Sequence, residues 1–137
     1  MNIFFHFEQA HYKISSQKKR KKWIYASVEE EGYSIDSIDF IFCSDVFLLG
    51  INKKFLNHDY FTDVITFSNS EGNVLNGEIY ISMERVRENS ESYLVSFDEE
   101  LNRVLIHGIL HLMNYNDSSR NLKMRMTIRE NYFLKKF

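Results

Sequence analysis

Two histidines four residues apart, His107 and His111, sit in the apolar stretch His107-Gly-Ile-Leu-His111-Leu-Met-Asn-Tyr-Asn-Asp117. An α-helix turns about 100° per residue, so positions i and i+4 lie within about 40° of each other on one face. Both imidazoles can then reach one metal ion, which ties the fold to a helix at this point. Asp117 follows six residues after His111 and is the candidate third ligand. Between them stand Asn114 and Asn116, and asparagine is among the few residues besides glycine that accept a left-handed backbone. The helix can stop there, turn, and bring Asp117 back to the open side of the two rings. Asn116, through its amide oxygen, is the rival third ligand, and Asp117 can instead cap the helix that follows. Two ring nitrogens and one carboxylate oxygen leave a fourth position vacant, as catalytic zinc sites do; structural zinc is closed by four protein ligands, mostly cysteines. Zinc is the expected ion by ligand type, one per chain. The carboxylate hardens the site, so manganese, iron and nickel are alternatives.

The residue after His107 decides between chemistries. Zinc peptidases of the HExxH type carry a glutamate there as general base; this chain has Gly108. Proteolysis therefore lacks its proton acceptor. Phosphodiester cleavage does not need one, because a metal can supply both the Lewis acid and the activated water. In RNA the 2′-hydroxyl is a further possible nucleophile.

The rest of the chain supplies a scaffold. Its 137 residues suffice for one domain, and 44% hydrophobic and 15% aromatic content fit a packed core. No apolar run reaches the roughly 20 residues that span a bilayer. The N-terminus lacks the basic and long apolar regions of a signal peptide. Cys43 is the single cysteine, so no disulfide forms within the chain and a reducing cytoplasm is the expected compartment. It has no basic neighbours in sequence to lower its pKa and reads as a packing residue. The net charge of −2 is not that of a protein that coats nucleic acid; RNA would have to meet a local basic patch, in a salt-sensitive way. Lys18-Lys-Arg-Lys-Lys22 is one such run, though a solvated helix face is the ordinary meaning of surface lysines.

Periodicity and caps give the order β-α-β-α-β-β-α-α-α. Residues 2–7 read as a strand. Ser15 or Ser16 caps a helix carrying Trp23, Ile24 and Val28 that ends before Gly32. Ile35 to Cys43 reads as a strand interior to a sheet. Ser44 or Asp45 caps a helix over Val46 to about Phe55. Val64–Phe67 and Gly77–Ser82 are two strands expected to pair as a hairpin. Ser82 caps a helix from Met83. Ser96 and Glu99 form a capping box for the helix that buries Leu101, Val104, Leu105, Gly108, Ile109 and Leu112. Gly108 inside it costs about 1 kcal/mol relative to alanine, which points to a close contact with the sheet or the metal loop. A last helix covers about Arg120 to Leu134. The expected class is α+β (α/β-like): a mixed sheet of about four strands packed with about five helices, the metal-bearing helix central.

The metal stretch resembles the HxxxHxxGxxH pattern of metzincin-like sites, with Asn114 at the turn glycine and Asp117 at the third histidine. It is more closely similar to the signature HGxLHLxGYDH of the YbeY endoribonuclease family, here HGILHLMNYND. Leu56-Asn-His-Asp-Tyr-Phe-Thr-Asp-Val-Ile-Thr-Phe67 is similar to that family's stretch ending in TDVLSF, and Gly77-Glu-Ile-Tyr-Ile-Ser82 to its GDIxIS. The resemblance covers residues 36–137 well and the N-terminal third in outline. It implies a single metal-dependent hydrolase domain over residues 1–137. Its implied activity is single-strand-specific endoribonucleolytic cleavage in rRNA maturation and ribosome biogenesis, with His107, His111 and Asp117 acting through a metal and its water. The implied partners are single-stranded rRNA, the small ribosomal subunit and its proteins, or an assembly GTPase; neither DNA nor a membrane is expected. The family arginine seven residues before the TDV-like aspartate, suited to a phosphate, is Leu56 here. Lys53, Lys54, His58 and Arg103 are the candidate replacements. Asp59 and Asp63 can hold a water or orient a histidine, or simply make turns, and Thr62 can cap or meet a phosphate. Tyr60, Phe61 and Tyr115 can stack on bases, with ordinary packing the competing role. Two other readings stay open: a non-catalytic ribosome-assembly factor with a structural metal, and a metal hydrolase of small phosphoesters, which a narrow pocket beside His107 would favour.

Overall fold

The structure, a computed structural model, describes residues 2–58, 60 and 62–137. Nine elements follow in the order read from the sequence: β1 (Ile3–Phe7), α1 (Gln17–Glu30), β2 (Ser34–Cys43), α2 (Asp45–Leu56), β3 (Val64–Ser68), β4 (Val74–Ser82), α3 (Met83–Ser92), α4 (Phe97–Leu112) and α5 (Arg120–Leu134). The four strands form one mixed sheet in the order β1-β2-β4-β3. β1 and β4 each pair with β2 in parallel, and β3 returns antiparallel to β4, with Val64 opposite Ile81 and Ser68 opposite Gly77. The expected hairpin is thus present.

Strand side chains alternate between faces. Ile38, Phe40 and Phe42 of β2 and Leu75, Ile79 and Ile81 of β4 fall on one face and are fully buried. There they join Trp23, Ile24 and Val28 of α1 and Leu101, Leu105, Ile109 and Leu112 of α4 in the main core. The other face is covered by α2, where Leu48 packs on Cys43 and Ile65. The helix ends follow their caps: the hydroxyls of Ser44, Ser82, Ser96 and Ser119 each accept a backbone N–H of the first turn of α2, α3, α4 and α5. α1 departs from that expectation. Ser16 stands at its N-cap in a left-handed conformation, φ 53°, without a side-chain cap bond. The reason is Arg20, which lies inside the lysine run yet is buried. Its Nε donates to the Ser15 carbonyl at 2.8 Å and its Nη2 to Asp98 at 2.8 Å. The lysines around it face outward, Lys19 over the Phe137 ring and Lys21 over Phe5.

Gly108 explains how closely α4 meets the sheet. A Cβ there would lie 2.8 Å from Cγ2 and 3.0 Å from Cδ1 of Ile79. The contact is with the sheet rather than the metal loop. Its effect is to press α4, the helix that carries His107 and His111, onto β4.

Candidate metal centre

α4 projects His107 and His111 from one face, as the four-residue spacing requires, and their Nε2 atoms are 3.0 Å apart. Met113 ends the helix and Asn114 turns the chain in the left-handed region, φ 70°. Asn116 makes the next turn by accepting the Ser118 N–H at 2.7 Å through its side-chain oxygen. Asp117 then returns toward the histidines: its Oδ2 is 3.7 Å from His107 Nε2 and 3.5 Å from His111 Nε2. The cap of α5 is Ser119, so Asp117 is not engaged there.

These three residues offer ligand atoms that all lie within 4.8 Å of one another and can hold a metal ion. Tetrahedral zinc with bonds near 2.0–2.1 Å separates neighbouring donors by roughly 3.3 Å, and the three observed separations straddle that value. The other ring nitrogens are tied down. His107 Nδ1–H donates to Glu130 Oε2 at 2.6 Å, and His111 Nδ1–H donates to the Tyr115 carbonyl at 3.1 Å. Both bonds select the tautomer that leaves Nε2 with a lone pair toward the common point, the usual arrangement behind metal-bound imidazoles. Two such lone pairs 3.0 Å apart repel unless a cation or a proton lies between them.

The charges around the pair push its members apart. Burial disfavours the His107 imidazolium, but the hydrogen bond and charge of Glu130, with Asp63 and Asp117, outweigh it and leave the His107 pKa raised. Burial and the neighbouring His107 hold His111 below the ordinary value. Burial raises the carboxyl pKa of Asp63, against the opposing pull of His107.

The three candidate ligands open onto a groove of ≈ 540 Å³ that Leu56, His58, Tyr60, Thr62 and Asp63 also line. Of the four candidate cations, His58 is the one that lines this groove. Its ring stacks on Tyr60, centroids 5.1 Å apart, and its Nδ1 is 3.0 Å from the Tyr60 hydroxyl. The buried Asn52 of α2 supports this lining by donating to the Tyr60 carbonyl at 2.8 Å. Lys53 and Lys54 are exposed on α2 outside the groove lining. Arg103 lies behind His107, donating to Glu130 Oε1 at 2.9 Å and to Asn131 at 2.8 Å. Tyr115 is half-buried against the main core, with its hydroxyl on Glu31. Asp59 and Phe61 lie outside the described residues.

Glu130 escaped the reading of the sequence, although a signal for it exists. It sits with Met126 and Phe133 at positions i, i+4 and i+7 of the buried stripe of α5, where a carboxylate belongs only if something pairs with it.

Comparison with known proteins agrees with this geometry. The family profile described as Endoribonuclease YbeY matches residues 4–137. A protein named Endoribonuclease YbeY from Christiangramia forsetii is 44% identical over 124 residues, 90% of this chain and 87% of its own length. Its namesake from Flavobacterium psychrophilum is 44% identical over 126 residues, covering 92% and 90%. The solution structure of TM1509 from Thermotoga maritima superimposes with a TM-score of 0.69 at 27% identity, covering 97% of this chain and 87% of that one. With its sheet order, its paired histidines on α4 and these relatives, the chain belongs to the YbeY endoribonuclease family.

Proposed function

We propose that this protein is a metal-dependent endoribonuclease that cuts single-stranded rRNA during ribosome maturation, with residues 1–137 working as one domain. The names of its relatives support the endoribonuclease activity. The observation that carries the metal dependence is a set of three donors facing an open groove. His107, His111 and Asp117 are the proposed ligands and zinc the proposed ion. When bound, zinc supplies Lewis acidity toward a phosphoryl oxygen and makes a coordinated water more acidic.

The chain's own residues do the rest. Glu130 holds His107 in the ligating tautomer and the Tyr115 carbonyl does the same for His111. His58 offers an imidazole N–H in the same groove as the ligands and is the proposed phosphate contact where Leu56 replaces the family arginine. Asp63, with its pKa raised by burial, is placed in the groove to share a proton with a water or a ribose hydroxyl. Tyr60, 56% exposed beside His58, presents a ring face to an unstacked base. An open groove suits a polymer better than a small phosphoester.

The small ribosomal subunit, its proteins and an assembly GTPase are the proposed partners, and the cytoplasm the proposed compartment. Among the described residues no helix is long and apolar enough to cross a membrane.

The test is cleavage of a single-stranded rRNA fragment by purified protein with and without added zinc, beside a chelated sample and His111→Ala. Zinc-dependent cutting that the variant loses is the expected result. A folded, zinc-loaded protein that leaves the RNA intact, alone and on ribosomal particles, would favour an assembly factor with a structural metal.

A further inference from the structure

The C-terminal end of α1 is electrostatically misplaced. Glu29, Glu30 and Glu31 cluster there with no basic residue in the last turn, although a helix C-terminus repels carboxylates. A local rule broken without local compensation points to a role elsewhere in the fold. The side chain of Glu31 is only 14% exposed. Its Oε2 accepts from Arg129 Nη2 and its Oε1 from the Tyr115 hydroxyl. Arg129 is itself held with its guanidinium 4.3 Å from the Tyr132 ring centroid and 4.9 Å from that of Phe133.

Tyr115 is therefore fixed at both ends. Its side chain is tied to Glu31, and its backbone N–H donates to the Leu110 carbonyl at 3.0 Å. Its own carbonyl is the acceptor for His111 Nδ1–H. A second strut runs from the same end of α1, where the Tyr33 hydroxyl donates to the Met113 carbonyl at 3.2 Å. The loop that carries Asp117 thus hangs between α4 and the end of α1.

We propose that Glu31, braced by Arg129, is a positioning residue for the metal centre: through Tyr115 it fixes the carbonyl that aims His111 and the loop that presents Asp117. This rests on the assignment of His107, His111 and Asp117 as ligands. Partners behind metal ligands typically change metal affinity by about 10- to 100-fold when removed. Glu31 acts through one intermediary, so the effect belongs at the lower end of that range.

The experiment measures Co²⁺ affinity and the visible absorption of the Co²⁺-loaded protein, with Zn²⁺ affinity by competition. The native protein is compared with Tyr115→Phe, Glu31→Met, Glu31→Gln and Lys136→Met. Lys136→Met removes the neighbouring Glu30–Lys136 pair, 2.8 Å, between the same two helical ends. Tyr115→Phe and Glu31→Met are expected to weaken both metals about 10-fold and to alter the Co²⁺ spectrum. Glu31→Gln, which keeps an oxygen acceptor for the tyrosine, recovers most of the loss, and Lys136→Met changes neither. Should Glu31→Met fail to fold, Tyr115→Phe decides, because it keeps the packed ring and removes only the hydroxyl. Native affinity and spectrum in Tyr115→Phe would overturn the proposal, as would an equal loss in Lys136→Met, since loose helix docking would then suffice. A native protein that takes up no Co²⁺ or Zn²⁺ would overturn the ligand assignment itself, and this proposal with it.

Discussion

Glu130 divides its two carboxylate oxygens between His107 and Arg103, at 2.6 and 2.9 Å. It is buried, so its charge is felt at full strength by the ring it holds. Glu130→Gln keeps the size and removes the charge. Zinc affinity is expected to fall about 10- to 100-fold, read by competition with a chromophoric chelator, while the far-ultraviolet circular dichroism stays native. Unchanged affinity would mean that Glu130 merely anchors Arg103. Gly108 was legible as a position where a small residue matters, because glycine in a helix interior has a cost that something must offset. Which surface it approached was not legible; that depends on Ile79, a residue 29 positions earlier in another element.

At the scale of elements, α4 carries a titration of its own. Burial pushes the Glu100 carboxyl up to about 7, with Asp63 adding to the effect. The same group in an unfolded chain titrates near about 4.3. The folded chain therefore keeps a proton that the unfolded chain releases between those values, and stability falls as pH rises from about 4.5 to about 7. The loss is roughly 3–4 kcal/mol once complete, at about 1.4 kcal/mol per pKa unit. Metal-free Glu100→Gln is expected to be more stable than the native chain at pH 8, with the advantage vanishing near pH 4.5. Urea unfolding at both pH values measures it; a constant difference between them would place the effect elsewhere.

Element order was legible because each helix announces itself locally, by a serine cap and an apolar stripe. Of the four serine caps expected, Ser44, Ser82 and Ser96 form, and Ser119 adds one at α5 where Asp117 was the candidate. Ser16 fails because Arg20, read as one more surface cation, turns inward to Asp98, a pairing across 78 residues that leaves no local trace. The same limit hid Glu31 and Arg129. The candidate metal ligands were legible for the opposite reason: all three lie within eleven residues, and helix geometry alone brings two of them together. Strand order was not, since nothing in β2 says that β4 rather than β3 will lie beside it.

Over the whole molecule, a net charge of −2 conceals an uneven distribution. α5 begins directly after the Asp117 loop and exposes Arg120, Lys123 and Arg125, while the acid within it, Glu130, is buried. An RNA strand that leaves the groove past Asp117 is expected to follow these cations, which come next in the chain. Each phosphate contact with a single strand contributes a slope of about −0.7 to log affinity against log salt. Arg120→Gln with Lys123→Gln is expected to weaken RNA binding and to flatten that slope by about 1.4, without affecting zinc uptake. Titrations across a salt series measure this, and an unaltered slope would put the RNA path off α5.

Cys43 gives the sheet a clock. The thiol is wholly buried beneath α2, donates to the Ile81 carbonyl, and is pushed up to about 12 by burial. At pH 8 the closed protein holds almost no thiolate and offers an alkylating reagent no path to it. Modification must wait for α2 to lift from the strands, so its rate counts those openings. With a single cysteine in the chain, one labelling curve follows this layer alone. Because α2 ends at the groove wall, RNA that settles against His58 and Tyr60 should slow the clock.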